Sequence, residues 1–420
     1  MTKKISLSLE GPQPHYAVGL MSGTSHDGVS AAIVTIDDRR SPPVRLVAFA
    51  TFPYPPKFRA RLLAASADAH LGAGEISQLN FALGAALGRA ALAISRRAHI
   101  APARLSFIGS HGHTFFHLPP RRAAHGETPS TLQLGEAAVI AAMTGVAVVS
   151  DFRPMDIAIG GEGAPLAPLA HLWLFGDRTR GRIVQNIGGI GNATYLPPRA
   201  RRGDPRLIAF DTGPGVGLID ALAAKLSGGK LRMDRDGRMA LRGRVSDTLL
   251  DELMRNSYFR RRPPKSTGRE EFGLPLLDRI EEHARALAVA GDDLIATVTA
   301  LTARSIADAV RRFIVPLGRV DQLIATGGGA RNPALMKLLA AELTGIAAGD
   351  AVATGKGEIE LPNIDVITAA DVGVDGEALE AVAFAILGYQ MLRGMPGNIP
   401  SVTGARSPAI LGKLTLPPHP

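Results

Sequence analysis

The sequence predicts an α/β protein of two domains, and three observations carry that reading. Strand-like and helix-like segments are mixed along the chain rather than segregated. Two successive units each open with a strand, a glycine-rich turn and a second strand, roughly 165 residues apart, as in a duplicated architecture. With 420 residues, the chain is also too long for one small core and fits two. The expected domains are 15–177 and 178–405, with a last helix that packs back toward the first.

The elements follow in order. Tyr16–Leu20 is a short apolar strand, and Val29–Ile36 is rich in β-branched residues, so the turn between them makes a β-hairpin. Val44–Thr51 reads as a third strand, followed by helices over Phe58–Ala67 and Ile76–Arg97. Leu105–Gly109 is a buried strand that delivers Ser110-His111-Gly112-His113-Thr114. A helix over Glu136–Thr144, a strand over Val146–Ser150, a turning stretch over Asp151–Ala164 and a helix over Pro165–Phe175 complete the first half. The second half repeats the opening: Arg182–Asn186, a glycine turn, Asn192–Leu196, then Leu207–Phe210 ending at Asp211. Helices dominate Leu218–Leu226, Val245–Asn256, Leu276–Ala290 and Leu294–Phe313; a strand follows over Gln322–Thr326, and the final helix is Gly376–Arg393.

Composition narrows the function classes. Hydrophobic residues are 46% and charged residues 20%, ordinary for a soluble globular chain. There are no cysteines, which rules out disulfides and thiolate metal sites and suits a reducing, cytoplasmic setting. The stretch after Lys3-Lys4 lacks the apolar run of a signal peptide, and the apolar stretches near 137–149 and 379–387 are too short to span a bilayer. No membrane partner is expected. The net charge of +9 gathers at Arg199–Arg202 and Arg260–Arg262, both beside prolines, while aromatics are only 5%. A nucleic-acid reader needs an organised motif or stacking rings, so phosphate-bearing small molecules suit this charge better.

Three glycine loops and one carboxylate carry the chemistry. In Gly23-Thr24-Ser25-His26-Asp27-Gly28, glycines let a phosphate approach backbone N–H groups, the hydroxyls add donors, and Asp27 suits a hydrated Mg²⁺. The same residues also form plain hairpin turns. The Asn186–Asn192 turn, with Gly188, Gly189 and Gly191, carries no charge; it reads as an anion cradle or a tight hairpin. Gly327-Gly328-Gly329 follows a strand and precedes a helix near Pro333, which suits a nucleotide. Neither a P-loop nor a dinucleotide-binding fingerprint is present. Asp211 ends an apolar strand before Thr-Gly-Pro-Gly; it reads equally as a general base in a cleft or as a helix-capping turn residue. His111, His113 and His117 invite a zinc reading, but no cysteine or nearby carboxylate completes a set.

Read in order, these residues resemble the anhydro-N-acetylmuramic acid kinase family of the hexokinase–actin–chaperone ATPase superfamily. The matching segments are Gly19–Ser25 with Asp27-Gly28, Ser110–Gly112 with Thr114, Leu132–Glu136, Asp151–Arg153, Gly163–Leu166, Asn186–Ile190 with Asn192, and Phe210–Gly215. Pro263–Glu270, Gly327–Pro333, Glu380–Phe384 and Pro396–Asn398 continue the series, so the resemblance covers about residues 16 to 405.

The resemblance implies two actin-like ATPase domains of ribonuclease H-like fold, with a nucleotide cleft between them that closes over ATP and Mg²⁺. It implies hydrolytic opening of the 1,6-anhydro sugar and phosphorylation of O6. Mapped by motif, Asp211 is the base that activates water. Gly23, Thr24, Ser25, His26, Asp27, Gly28, Val29 and Ser30 form the ATP loop, with Asn186, Gly188, Gly189, Gly327, Gly328 and Gly329 lining the nucleotide site. Thr114, Glu136 and Arg153 match sugar-side positions together with Asp211, Arg153 facing the lactyl carboxylate, and Glu380 belongs to the cleft or hinge. Asp27 is the expected Mg²⁺ residue, acting through water, and a homodimer is the family's expectation. The chain departs from the family pattern at Ser30 (commonly Asp), His113 (commonly Gln), Glu162 (often Gln) and Val216 (usually Asn).

Overall fold

The computed structural model describes residues 9, 13–23, 26–68, 70–344, 352–354, 357–359 and 363–418. It divides into two compact units: residues up to Leu174 together with those from Glu377 onward, and Phe175–Gly376. The first boundary lies three residues before the one expected from sequence. The chain from Glu377 on, numbered with the second domain but with a last helix expected to pack back, groups with the first unit.

The first unit opens with β1 (His15–Ser22), β2 (Gly28–Ile36) and β3 (Val44–Pro53), paired as an antiparallel meander. The helices α1 (Pro56–Ala67) and α2 (Ala73–Arg97) follow. In α2, Glu75 in the first turn and Arg96 and Arg97 in the last complement the helix dipole. Leu62, Leu79, Leu83 and Leu87 are fully buried from these helices against Val18, Leu20 and Ile33 of the sheet, each worth about 2 kcal/mol of burial. Then come β4 (Leu105–Leu118), β5 (Ser130–Leu134), α3 (Ala137–Thr144), β6 (Val148–Ser150), α4 (Arg153–Ala158) and α5 (Pro168–Phe175).

The second unit repeats the meander with β7 (Arg182–Ile187), β8 (Ile190–Leu196) and β9 (Ile208–Pro214). Six helices follow: α6 (Gly217–Leu226), α7 (Arg238–Arg242), α8 (Asp247–Leu253), α9 (Arg269–Phe272), α10 (Leu274–Ala286) and α11 (Gly291–Ala309). The chain returns through β10 (Gln322–Thr326), α12 (Pro333–Thr344), a ribbon of β11 (Val352–Thr354) and β12 (Gly357–Ile359), and β13 (Asp365–Thr368). It then re-enters the first unit as α13 (Leu379–Leu392), α14 (Pro400–Thr403) and β14 (Lys413–Thr415).

Both sheets share one strand order. The first runs β3-β2-β1-β4-β6, and the second β9-β8-β7-β10-β13. In each, three antiparallel strands are followed by two parallel ones. The duplication read from the two strand–turn–strand openings is therefore present in the topology. The first sheet adds β5 beside β4 and β14 beside β6.

Three elements differ from the sequence reading. Strand β9 continues through Asp211 to Pro214, because Ile190, Gly191 and Asn192 of β8 pair with Pro214, Gly213 and Asp211. Asp211 thus lies within a strand rather than at its end. Residues 153–158, read as part of a turning stretch, form α4, with Pro154 in its first turn where proline is tolerated. Strand β4 runs on through the histidine cluster, but Gly112 at φ 74° interrupts the alternation. His111 and His113 have separate neighbours, Arg153 and Gly112 for the first and Ser22 for the second.

The contact of α13 with the sheet is unusually close. A Cβ on Gly19 of β1 would lie 1.8 Å from the Ala381 carbonyl oxygen, and one on Gly109 of β4 would lie 2.1 Å from that of Phe384. Helix and strand backbones touch directly, and nothing larger than glycine fits. Gly19→Ala is expected to lower unfolding stability by about 2–3 kcal/mol through overpacking. Gly74→Ala, in the open first turn of α2, should be neutral or slightly stabilising. Urea midpoints at unchanged slope would read both.

Candidate functional site

In the second unit, Asp211 is half-buried on β9 between Phe210 and Thr212, which are buried. Its backbone and side chain are tied to the segment 258–267, far away in sequence. The Thr267 N–H donates to Asp211 Oδ2 at 2.8 Å, the Asp211 N–H donates to the Lys265 carbonyl at 3.1 Å, and the Tyr258 hydroxyl donates to the Asp211 carbonyl at 2.8 Å. A main-chain donor on a carboxylate oxygen fixes the direction in which that oxygen is presented.

The two glycine loops of this unit lie at the same end of its sheet. Asn186 of β7 pairs with Thr326 of β10, so the 188–189 turn and the Gly327–Arg331 turn leave neighbouring strands. Gly327 has φ 77°, and a Cβ there would lie 2.4 Å from Asn186 Oδ1, so only glycine lets the loops meet. Gly189 and Gly328, by contrast, face open space, leaving room for a ligand against the backbone. At the entry to α6, the Gly188 carbonyl accepts from the Val216 N–H and the Gly189 carbonyl from those of Gly215 and Gly217. The 188–189 turn is therefore braced against the chain that leaves Asp211. Val216, where the family usually has Asn, packs against two apolar clusters instead of offering an amide.

Of the sugar-side residues expected from sequence, Thr114, Glu136 and Arg153 fall in the first unit, and Asp211 in the second. Arg153, at the start of α4, donates from Nε to His111 Nε2 at 2.9 Å and from Nη1 to the Gly163 carbonyl at 2.7 Å. His111 carries its single ring proton on Nδ1 and donates it to the Gly112 carbonyl at 3.1 Å, which leaves Nε2 as the acceptor. Burial, then the Arg153 charge, holds His111 well below the usual histidine range, so it stays a neutral acceptor. Burial also lowers Arg153 to about 10, against the pull of Glu380 and Asp156. Glu380, at the start of α13, is reached by solvent yet ringed by protein; its carboxyl is raised by desolvation and drawn back by Arg153. The structure thus couples Arg153 with Glu380 electrostatically within the first unit.

Asp156 organises this corner. Fully buried, it accepts from the Gly163 N–H, Asn398 Nδ2 and Thr403 Oγ1, each at 2.8 Å. It joins α4, the Gly161–Gly163 turn and the C-terminal segment. Glu162, another departure, donates its N–H to the Thr403 carbonyl at 2.8 Å, and its carboxylate faces Arg121 at 3.6 Å. Glu136 caps α3, accepting from the Ala138 N–H at 3.1 Å and from Asn80 Nδ2 at 3.0 Å. Thr114 pairs with Gln133 between β4 and β5.

The remaining ATP-loop residues have mixed surroundings. Thr24 and Ser25 lie outside the described residues. His26 has φ 57° and donates its N–H to the Gly23 carbonyl at 3.2 Å. Asp27 is exposed and pairs with Arg59 Nη2 at 2.9 Å, while Arg59 Nε donates to the His26 carbonyl at 3.1 Å. Gly28 is buried in β2, where a Cβ would lie 2.3 Å from the Phe52 carbonyl oxygen, and Val29 lies in the core. Ser30 is at hydroxyl distance (3.2 Å) from Thr51. His113 meets Ser22 Oγ through Nδ1 at 3.0 Å, and His117 meets Thr131 at 3.1 Å. Among the described residues, no group of three His, Asp or Glu side chains is placed to hold a metal ion. A single carboxylate such as Asp27 still fits Mg²⁺, which keeps several waters and takes most of its other ligands from substrate phosphates.

The sequence alone pointed to no role for Arg59, Asp156, Tyr258, Lys265 or Thr267, and to His111 only as a member of the histidine cluster. The only signal for Lys265 and Thr267 was their place in the quoted Pro263–Glu270 motif.

Comparison with known proteins bears on this arrangement. The family model described as anhydro-N-acetylmuramic acid kinase matches residues 15–358 and 354–417. A curated relative from Caldanaerobacter subterraneus, named anhydro-N-acetylmuramic acid kinase, is 40% identical, covering 98% of this chain and 99% of its own. One of the same name from Bacillus thuringiensis is 37% identical, covering 96% of this chain and all of its own. Among solved structures, a ROK family glucokinase from Streptomyces griseus in complex with glucose and AMPPNP is a remote likeness at TM-score 0.40 and 12% identity, covering 89% of this chain and 99% of that one. With the family match running from β1 to past β14 and the relatives matched nearly end to end, the chain belongs to the anhydro-N-acetylmuramic acid kinase family.

Proposed function

We propose that the protein opens the 1,6-anhydro bridge of 1,6-anhydro-N-acetylmuramic acid with water and phosphorylates O6 from ATP, releasing N-acetylmuramic acid 6-phosphate and ADP. Family membership supports the kinase activity and the use of ATP. One observation supports the catalytic assignment above others: a half-buried carboxylate on β9, oriented by a main-chain N–H at 2.8 Å.

In this reading Asp211 takes a proton from water, and the water oxygen forms a bond to C1. The C1–O6 bond breaks, and O6 forms its new bond to the γ-phosphorus as the bond to the ADP oxygen breaks. Water, sugar and ATP supply every atom of the two products. The protein contributes alignment and charge stabilisation more than covalent chemistry. Arg153 presents its guanidinium to the lactyl carboxylate, held in place by His111 and Gly163. Thr114 and Glu136 contact the sugar, and Glu380 balances the Arg153 charge.

For the nucleotide, Gly189 and Gly328 have open faces that support phosphate approach. The residues assigned to it are Gly23 to Ser30, Asn186, Gly188, Gly189 and Gly327 to Gly329. Mg²⁺ would be held by Asp27 through water and would supply charge neutralisation at the phosphates. The assembly is proposed as a homodimer and its compartment as the cytoplasm; no helix among the described residues is long and apolar enough to cross a membrane.

Asp211→Asn should lower turnover by about 10³-fold or more while ATP still binds, measured by coupled ADP release and by titration calorimetry. Undiminished turnover would remove Asp211 from the mechanism. Arg153→Lys loses the donor geometry toward His111 and Gly163, and is expected to raise the KM for the anhydro sugar about tenfold or more with the KM for ATP unchanged. Mass spectrometry of the product should show the gain of one water and one phosphoryl group. A gain of phosphoryl alone would mean simple phosphorylation.

A further inference from the structure

We propose that Lys265 is a positioning residue for Asp211, its ammonium locking the 258–267 segment that orients the catalytic carboxylate. The inference rests on the Asp211 assignment and extends it to a side chain that touches neither sugar nor nucleotide in that reading.

The segment grips Asp211 at three points: the Tyr258 hydroxyl, the Lys265 carbonyl and the Thr267 N–H. Its two ends must keep a constant separation for all three to persist. Lys265 Nζ supplies that constraint by donating back across the segment to the Tyr258 carbonyl at 3.3 Å. The ammonium lies 4.5 Å from the Tyr258 ring centroid, 4.9 Å from that of Phe313 and 5.8 Å from that of Phe210. Phe210 is the residue before Asp211, so the cage touches both the segment and the strand it serves. Such cation–π contacts strengthen when desolvated, and Lys265 is only 8% exposed. A neutral side chain would fill the volume but lose the attraction.

The ammonium can also lose its charge within an accessible range. Burial lowers Lys265 to about 8, the largest influence; Asp308 on α11 and Asp211 on β9 favour the charge, while Arg261 on the segment and Arg312 after α11 oppose it. Tyr258 is pushed well above its usual range by burial and by Asp211 and Glu271, so it stays protonated as the lysine titrates. As pH rises through about 8, the cage is expected to lose its cation, the segment to slacken and kcat to fall.

Steady-state kinetics of the full-length protein with Lys265→Met and Lys265→Arg, from pH 6.5 to 9.5, test this. For Lys265→Met the expected result is kcat about 10- to 100-fold lower, with both KM values within about twofold and no alkaline decline. Lys265→Arg keeps its charge and should retain the larger share of activity on a plateau extended past pH 8. Wild-type kcat for Lys265→Met, or a loss shared equally by kcat and both KM values, overturns the proposal. Should Lys265→Met fail to fold, the comparison of wild type with Lys265→Arg decides, and an alkaline limb identical in the two overturns it. Asp211→Asn in parallel keeps the two ideas apart. An active Asp211→Asn defeats the base assignment, whereas an inert Asp211→Asn beside a fully active Lys265→Met defeats this inference alone.

Discussion

The hydrogen bond from the Thr267 N–H to Asp211 Oδ2 is the contact on which the chemical reading rests. A carboxylate on a strand has rotational freedom, and a base must present one oxygen at one angle. Here the direction is set by backbone, which cannot swing away as a side-chain donor can. The donor itself depends on a segment with little regular structure, between a short helical turn at Ser257–Arg260 and α9. That segment is made stiff by a caged ammonium, a buried tyrosine and three aromatic contacts among Tyr258, Phe259 and Phe272. Rigidity at Asp211 therefore comes from packing behind it.

The first unit solves a related problem with charge. Arg153 carries its guanidinium while largely enclosed, and enclosure alone disfavours the cation. Neutral acceptors, the His111 ring and the Gly163 carbonyl, hold its geometry, while Glu380 and Asp156 offset the desolvation. The Asp156 carboxylate accepts from the Gly161–Gly163 turn and from two residues of the C-terminal segment, so the turn that accepts from Arg153 is fixed by the same residue that helps keep Arg153 charged. Geometry and electrostatics are set together at this corner.

Much of the fold is legible in the sequence because its signals are local. β-Branched runs mark β2 and β7, glycine turns mark both hairpins, and the duplicated opening anticipates the shared strand order. Reading fails where tertiary pairing overrides local pattern. Apolar character stops at Phe210, but pairing with Ile190–Asn192 carries β9 through Asp211 to a proline. Polar residues conceal the extension of β4, and Asp151 and Pro154 look like turn formers although α4 begins at Arg153. The site is harder still. Asp211 was visible as a residue type, but its donor lies 56 residues away in sequence and the acceptor for Arg153 lies 42 away, and no local spacing encodes such pairs.

The return of the chain to its starting unit has a consequence for biosynthesis. Residues up to Leu174 leave the ribosome first, yet α13, which lies directly on β1 and β4, and β14, which covers the outer rim of β6, are translated last. Through the synthesis of the intervening 202-residue stretch, Phe175 to Gly376, the nascent first sheet has one bare apolar face and an open edge. Vectorial folding therefore favours the lobe encoded in the middle, and the lobe begun first is finished only when the tail emerges.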